Sequence, residues 1–200
     1  MPSDQPPYTD QLASAVILAG GTSSRMGENK AMLLVKGIPL IQHIHSQLTA
    51  LFESILISGP DDKHYDFLPC EVIPDEMPDQ GPLMAIYSVL NALQKPIFVV
   101  ATDIPEIPRS VVENILNLAR TNPGAQAVVP VTTVGDYEPL FALYRPALLS
   151  TIQDALAAGN RHIYKLFSQV PLQRYQLQPH ESLLNLNHPN DYERYVKSHR

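Results

Sequence analysis

Short apolar runs alternate with helix-like segments along most of this chain, and that alternation restricts its fold more than any other feature. The apolar runs predict strands at 15–19, 54–58, 71–74, 97–101, 125–131 and 139–144. Apolar residues three or four positions apart predict helices at 39–51, 82–93, 109–120, 146–158, 164–170 and 192–197. Such alternation is typical of βαβ units, so the sequence predicts an α/β fold with a largely parallel sheet.

The run Ile97–Ala101 is apolar at every position. Strands covered on both faces lose the alternation of polar and apolar residues, so this run is predicted to be the central strand. It leads directly into Thr102 and Asp103. Ligands of open α/β sheets bind beyond the carboxyl ends of strands, and Mg²⁺ favours carboxylates, so Asp103 is a candidate metal ligand. The alternative is that Asp103 only caps the turn before Pro105.

Length and charge narrow the possible functions. A chain of 200 residues with 44% hydrophobic content is expected to form one domain, here 13–200, after a disordered segment at 1–12. The net charge is −6, from 14 Lys and Arg against 20 Asp and Glu, which argues against nucleic acid or an acidic membrane as partner. We find neither a signal sequence nor an apolar stretch long enough to span a membrane, so a cytoplasmic location is expected. Cys70 is the lone cysteine and is interpreted as structural.

The loop after the first predicted strand reads LAGGTSSRMGENK, residues 18–30. It contains neither the Walker pattern G-x-x-x-x-G-K-[ST] nor the dinucleotide pattern G-x-G-x-x-G. The adjacent Gly20 and Gly21 permit positive φ angles and the close approach of a ligand to backbone amides. Arg25 and Lys30 add two positive charges, so the loop is predicted to bind phosphate oxygens. A tight turn with solvated charges is the alternative.

The loop pattern L-A-G-G-x3-R-M-G-x2-K resembles the signature of molybdenum cofactor guanylyltransferases. Other motifs of that family recur in the same order across residues 15 to 192. They are Pro74-Asp75, Gly81-Pro82-Leu83, Asp103 with Pro105, Glu138-Pro139-Leu140-Phe141-Ala142-Leu143-Tyr144, Gly159-x-Arg161 and Asn185-Leu186-Asn187-x-Pro189. The resemblance implies a Rossmann-like three-layer sandwich of the nucleotide-diphospho-sugar transferase type.

The resemblance also implies a reaction. The terminal phosphate of molybdopterin attacks the α-phosphorus of GTP, pyrophosphate leaves, and the guanine dinucleotide form of the cofactor is produced. Mg²⁺ is the implied cofactor. The implied partners are GTP and molybdopterin or molybdenum cofactor, followed by molybdoenzymes or their delivery chaperones.

Roles for individual residues follow from the same resemblance. The nucleotide is assigned to Leu18, Ala19, Gly20, Gly21, Arg25, Lys30, Asp75, Gly81, Pro82 and Leu83. Arg25 and Lys30 are expected to neutralise the triphosphate and, with Asp103, to form the catalytic set. Asn187 is implied as an active-site residue that helps to hold the metal, and Arg161 is assigned to the pterin substrate. A helix cap at Asn187 and a solvated Arg161 remain the structural alternatives.

The sequence departs from the family pattern at three positions. Met84 and Ala85 replace the usual Ala-Gly after Gly81-Pro82-Leu83, and His188 replaces a threonine, which would weaken a helix cap. Three alternatives therefore stay open: a molybdopterin cytidylyltransferase, a sugar-nucleotide pyrophosphorylase and a non-catalytic module that binds the cofactor.

Overall fold

The computed structural model of the protein describes residues 12–20, 30–60 and 65–199. Its strands, numbered in chain order, are β1 (Ser14–Leu18), β2 (Leu34–Val35), β3 (Ile38–Pro39), β4 (Ile55–Ser58), β5 (Glu71–Ile73), β6 (Ile97–Ala101), β7 (Ala127–Val131), β8 (Phe141–Tyr144) and β9 (Leu172–Gln176). Its α-helices are α1 (Leu40–Leu48), α2 (Pro82–Leu93), α3 (Arg109–Thr121), α4 (Leu149–Ala157) and α5 (Pro189–Ser198). Elements thus alternate as the sequence predicts.

Within these ranges, seven strands form one sheet in the order β5-β4-β1-β6-β8-β7-β9. The pairs β4–β5, β1–β4, β1–β6 and β7–β9 are parallel, whereas β8 runs antiparallel to both β6 and β7. The mostly parallel sheet and the central place of β6 are confirmed. β2 and β3 form a separate two-stranded hairpin before α1.

Helices cover both faces of the sheet. Successive residues of a strand point to opposite faces, so each strand contributes side chains to two cores. Ala15 and Ile17 of β1 pack in one core with the buried faces of α1 and α3. Val16 and Leu18 pack in a second core with α2 and α4. The result is the three-layer α/β sandwich that the family resemblance implies.

The structure differs from the sequence prediction in the last third of the chain. Leu172–Gln176 is strand β9, which the sequence reasoning missed, because its alternating polar residues lie at the sheet edge, beside β7 alone. The segment 164–170, predicted as a helix, contains only the 3₁₀ turn Ile163–Leu166 and irregular turns. Short 3₁₀ turns follow no 3.6-residue period, which explains the error.

Candidate active site at the carboxyl ends of the central strands

The candidate site lies where β1 and β6 end side by side. The two strands are parallel and in register, with Leu18 opposite Ala101. The backbone N–H of Thr102 then donates to the carbonyl of Leu18 at 3.4 Å. The chain runs from β1 outward through β4 to β5 and then returns to the other side of β1, so this edge is the switch point at which open α/β sheets bind ligands.

Asp103 follows β6 at this switch point. Its Oδ1 is buried and has no hydrogen-bond partner among the described residues. Burial raises the pKa of the Asp103 carboxyl, and the positive charge of Lys30 opposes that rise. A buried carboxylate oxygen without a donor is costly unless a ligand or ion satisfies it, so this arrangement fits a bound cation.

Lys30 connects Asp103 to the far end of the chain. Its Nζ donates to the carbonyl oxygen of Leu186 at 3.0 Å, although the two residues are 156 positions apart. The backbone N–H of Leu186 in turn donates to the carbonyl of Asp103 at 2.7 Å. The backbone at Leu186 therefore contacts both Lys30, which is expected to bind the triphosphate, and Asp103, which is expected to bind the metal.

Helix α5, directly after that segment, anchors it to the body of the fold. The hydroxyl of Tyr195 donates to the carboxylate of Glu106, in the segment after β6, and lies 3.2 Å from Nε2 of His43 on α1. The Tyr195 side chain is buried in the same core as α1 and α3. The site is therefore held by contacts between α1, α5 and the segment after β6.

Asp75 lies further along the same edge, beyond the end of β5. The hydroxyl of Ser58 donates to its Oδ1 at 3.2 Å. A Cβ added to Gly20 would lie 4.0 Å from Oδ2 of Asp75. Burial raises the pKa of Asp75, and the Ser58 hydrogen bond opposes that rise. The structure thus brings Gly20 and Asp75 together.

Gly20 does not have the backbone conformation that the adjacent glycines suggest. Gly20 is absent from the described glycines with positive φ, and an added Cβ would make only ordinary contacts, the nearest at 3.6 Å to Gly59 Cα. A positive φ is therefore the wrong explanation for this glycine. Gly20 is exposed, and close approach of a ligand to its backbone stays a prediction.

At the start of α2, in contrast, the backbone conformation requires a glycine. Gly81 has φ +79° and Pro82 takes the first helical position, where its missing N–H costs nothing. Leu83 is fully buried in the core that also contains Leu18. Met84 and Ala85, the two departures from the family pattern, are 1% and 3% exposed. Both departures are accommodated by packing inside the protein.

Glu138 is a carboxylate that the sequence reasoning quoted within a motif but did not assign to the site. It is half-buried just before β8, and the side chain of Asn185 forms a hydrogen bond with it. Burial raises the pKa of Glu138, the Asn185 bond opposes this, and the negative charges of Asp103 and Asp136 raise it further. Only the fold brings Glu138 to this edge of the sheet, because β8 begins where β6 ends.

Three other residues singled out from the sequence, Asn187, Arg161 and His188, are exposed. Asn187 is exposed, and it is Asn185 that contacts an acidic side chain of the site. Arg161 is exposed in the loop after α4, and the hydrogen bond of the Lys30 side chain in the described part of the chain is to Leu186, not to Arg161. His188 precedes α5, and its backbone N–H donates to the Asp191 carboxylate at 2.9 Å, so the helix start remains capped.

Gly21 and Arg25 lie outside the described residues, so their assigned roles stay predictions. In the ranges that are described, no group of three or more His, Cys, Asp or Glu side chains is arranged to hold a metal ion. Mg²⁺ commonly uses only one or two carboxylates and fills its remaining positions with phosphate oxygens and water. Asp103, with its buried unpaired oxygen, therefore fits a site that the substrate phosphates complete.

A comparison with known protein families identifies the family of the chain. The sequence profile of the MobA-like NTP transferase domain matches residues 15–176, which include Lys30, Asp75 and Asp103. The chain belongs to this family. The resemblance noted from the loop motif is thereby confirmed, and MobA-like NTP transferases are nucleotidyltransferases.

Two curated proteins with similar sequences carry related names. A protein of Carboxydothermus hydrogenoformans named probable molybdenum cofactor guanylyltransferase is 33% identical, over 94% of this chain and 96% of its own length. The molybdenum cofactor guanylyltransferase of Syntrophotalea carbinolica is 31% identical, over 92% of this chain and 91% of its own length. In both cases the similarity extends over nearly the whole chain.

A solved structure shows the same fold. Molybdopterin-guanine dinucleotide biosynthesis protein A from Archaeoglobus fulgidus superimposes with a TM-score of 0.79 and 21% identity, covering 92% of this chain and 97% of that one. At this identity the likeness speaks for the fold alone. Of the helices in the described part of the chain, none has the length and apolar character needed to cross a membrane.

Proposed function

We propose that the protein transfers GMP from GTP to the terminal phosphate of molybdopterin or molybdenum cofactor, releasing pyrophosphate and forming the guanine dinucleotide cofactor. The observation that carries the proposal is the group formed by Lys30, Asp103 and Leu186 at the switch point. The names of the relatives supply the base and the acceptor. As a nucleotidyl transfer, the reaction needs positioning and neutralisation of charge rather than a covalent enzyme intermediate.

Lys30 and Arg25 bind the triphosphate in this proposal. The ammonium group of Lys30 lies at the point where the loop after β1 approaches the segment around Leu186. Negative charge accumulates on the leaving pyrophosphate, and a fixed positive charge stabilises it more than the ground state. Gly20 leaves its backbone open to the nucleotide, and Asp75 lies beside it.

Asp103 would hold Mg²⁺ through its buried oxygen. When bound, Mg²⁺ supplies positive charge to the phosphate oxygens and orients them for in-line attack. Lys30 lowers the cost of keeping Asp103 ionised in a partly buried place. Asn187 is assigned to the active site, where it would help to hold the metal, and Arg161 is assigned to the pterin substrate.

The proposed product is passed to molybdoenzymes or their delivery chaperones, and the proposed location of the protein is the cytoplasm.

The test of the proposed function is pyrophosphate release by the purified protein with Mg²⁺ and molybdopterin, compared among GTP, CTP, ATP and UTP. We expect release with GTP, and none from Asp103→Asn at the same protein concentration. A preference for CTP contradicts the base assignment, and no release with any nucleotide favours the non-catalytic binding module.

A further inference from the structure

We propose that Glu138 is a second carboxylate of the metal site, facing the same cation as Asp103. This inference rests on the proposed function, since that function implies a divalent cation at Asp103. It assigns a role to Glu138, which lies 35 positions after Asp103 in the sequence. Glu138 precedes β8, whereas Asp103 follows β6.

The strand geometry places Glu138 at the site. β8 is antiparallel to β6, with Phe141 opposite Val100, so the start of β8 lies beside the end of β6. The N–H of Ala101 donates to the carbonyl of Leu140 at 2.9 Å, just before the chain of β6 reaches Asp103. The N–H of Phe141 donates to the carbonyl of Glu138 at 3.2 Å, which holds Glu138 in a tight turn at the same edge.

A single segment then contacts both residues. The N–H of Leu186 bonds to the backbone carbonyl of Asp103 at 2.7 Å, and the neighbouring Asn185 bonds to Glu138 through its side chain. Adjacent residues of one segment therefore contact the backbone of Asp103 and the side chain of Glu138.

The chemistry of the pair fits a divalent cation. Two partly buried carboxylates repel each other, and one of them has a buried oxygen without a donor. A shared cation removes both costs, because it supplies the missing partner and screens the repulsion. Mg²⁺ and Mn²⁺ accept one or two carboxylates together with phosphate oxygens and water. The Asn185 amide, which donates to Glu138, would then orient that carboxylate.

The chain offers a matched pair of variants. Glu138→Gln removes one negative charge at nearly constant shape, and the glutamine oxygen still accepts from Asn185. Asp136→Asn removes the same charge two residues away, at an exposed position. A general electrostatic effect predicts similar changes for the two variants, whereas coordination predicts a change for Glu138→Gln alone.

The experiment is a titration of the purified protein with Mn²⁺ alone, in which electron paramagnetic resonance measures the free ion. We expect Glu138→Gln to raise the Mn²⁺ dissociation constant by about tenfold or more, and Asp136→Asn to change it by less than about twofold. Asp103→Asn should remove the binding altogether. Thermal melts of each variant, followed by circular dichroism, verify that the fold is intact.

Equal effects of Glu138→Gln and Asp136→Asn would overturn the proposal, as would an unchanged dissociation constant for Glu138→Gln. Retention of Mn²⁺ by Asp103→Asn would also overturn it, because the measured ion would then lie elsewhere. Pyrophosphate release with GTP is scored separately. Glu138-dependent Mn²⁺ binding without GTP turnover keeps the metal assignment and removes the proposed function, whereas turnover with unaltered Mn²⁺ affinity removes only the role of Glu138.

Discussion

Asp75 and Asp103 lie at the same edge of the sheet, but their surroundings differ. Both follow parallel strands, and burial raises the pKa of both carboxyl groups. Asp75 already accepts a hydrogen bond from the neutral hydroxyl of Ser58 at 3.2 Å. Asp103 instead has a buried Oδ1 without a donor and a positive charge, Lys30, in its neighbourhood.

The difference indicates what each carboxylate is suited to bind. A carboxylate that already accepts from a neutral donor is partly satisfied without a ligand and suits an uncharged hydrogen-bonding group of the nucleotide. A carboxylate with an unsatisfied buried oxygen is suited to a cation, because only a strong partner compensates for its burial. We therefore expect Asp75 to contribute to nucleotide binding and Asp103 to contribute to the chemical step.

The largest expected effect is that of Asp103→Asn. The variant keeps the shape of the side chain but removes the negative charge that would hold the metal. We expect kcat for pyrophosphate release from GTP to fall by at least about 10³-fold. The measurement is a steady-state assay at saturating Mg²⁺ and GTP. Near-normal turnover of the folded variant would show that the chemical step does not need the Asp103 carboxylate, and would contradict the proposed difference from Asp75.

Lys30→Met should have the next largest effect. It removes the positive charge near Asp103 and the hydrogen bond to the Leu186 carbonyl, while most of the side-chain volume is retained. We expect kcat/KM for GTP to fall by about 10²- to 10³-fold, since one electrostatic donor to the transition state is lost. Lys36→Met, at an exposed lysine in the turn of the β2–β3 hairpin, is the matched control and should leave kcat/KM unchanged. Equal losses in the two variants would contradict a specific role for Lys30.

Asp75→Asn should affect binding more than chemistry. We expect KM for GTP to rise by about tenfold while kcat stays within about threefold, because the lost interaction is present in both ground and transition states. Initial rates over a range of GTP concentrations separate the two constants. A fall in kcat as large as that of Asp103→Asn would show that both carboxylates serve the chemical step.

The smallest expected effect concerns stability. A carboxyl group whose pKa is raised by folding destabilises the folded protein at pH values above its usual pKa, and this cost disappears as the group becomes protonated. At pH 7, Asp103→Asn should therefore raise the Tm, by about 2–4 °C for each 1 kcal/mol gained in a protein of this size. The gain should shrink as the pH falls towards 4.

Calorimetry of both variants sharpens the comparison further. Asp103 has a buried Oδ1 without a donor, whereas Asp75 accepts a hydrogen bond from Ser58, so Asp75→Asn should raise the Tm less than Asp103→Asn does. The reverse order would mean that Asp75 is the more strained carboxylate. A Tm gain in Asp103→Asn, combined with lost turnover, is the pattern expected of a site whose charge serves function at the expense of stability.

Much of the fold was predictable because its signals are local. The run Ile97–Ala101 has no polar residue, and it is indeed the central strand, covered on both faces. The spacing of apolar residues likewise predicted helices α1, α2 and α3. β9 was missed since an edge strand with alternating polar residues provides only a weak pattern.

The sequence by itself determined the α/β fold class, the family resemblance and the position of Asp103 at the end of the central strand, because periodicity and motif spacing are properties of neighbouring residues. Only the tertiary structure decided that Lys30 contacts Leu186, 156 positions away, and that Asn185 contacts Glu138. These contacts depend on which strands pair and in which direction. The antiparallel β8, placed beside β6, brings Glu138 to the edge where Asp103 lies, and no local pattern encodes that pairing.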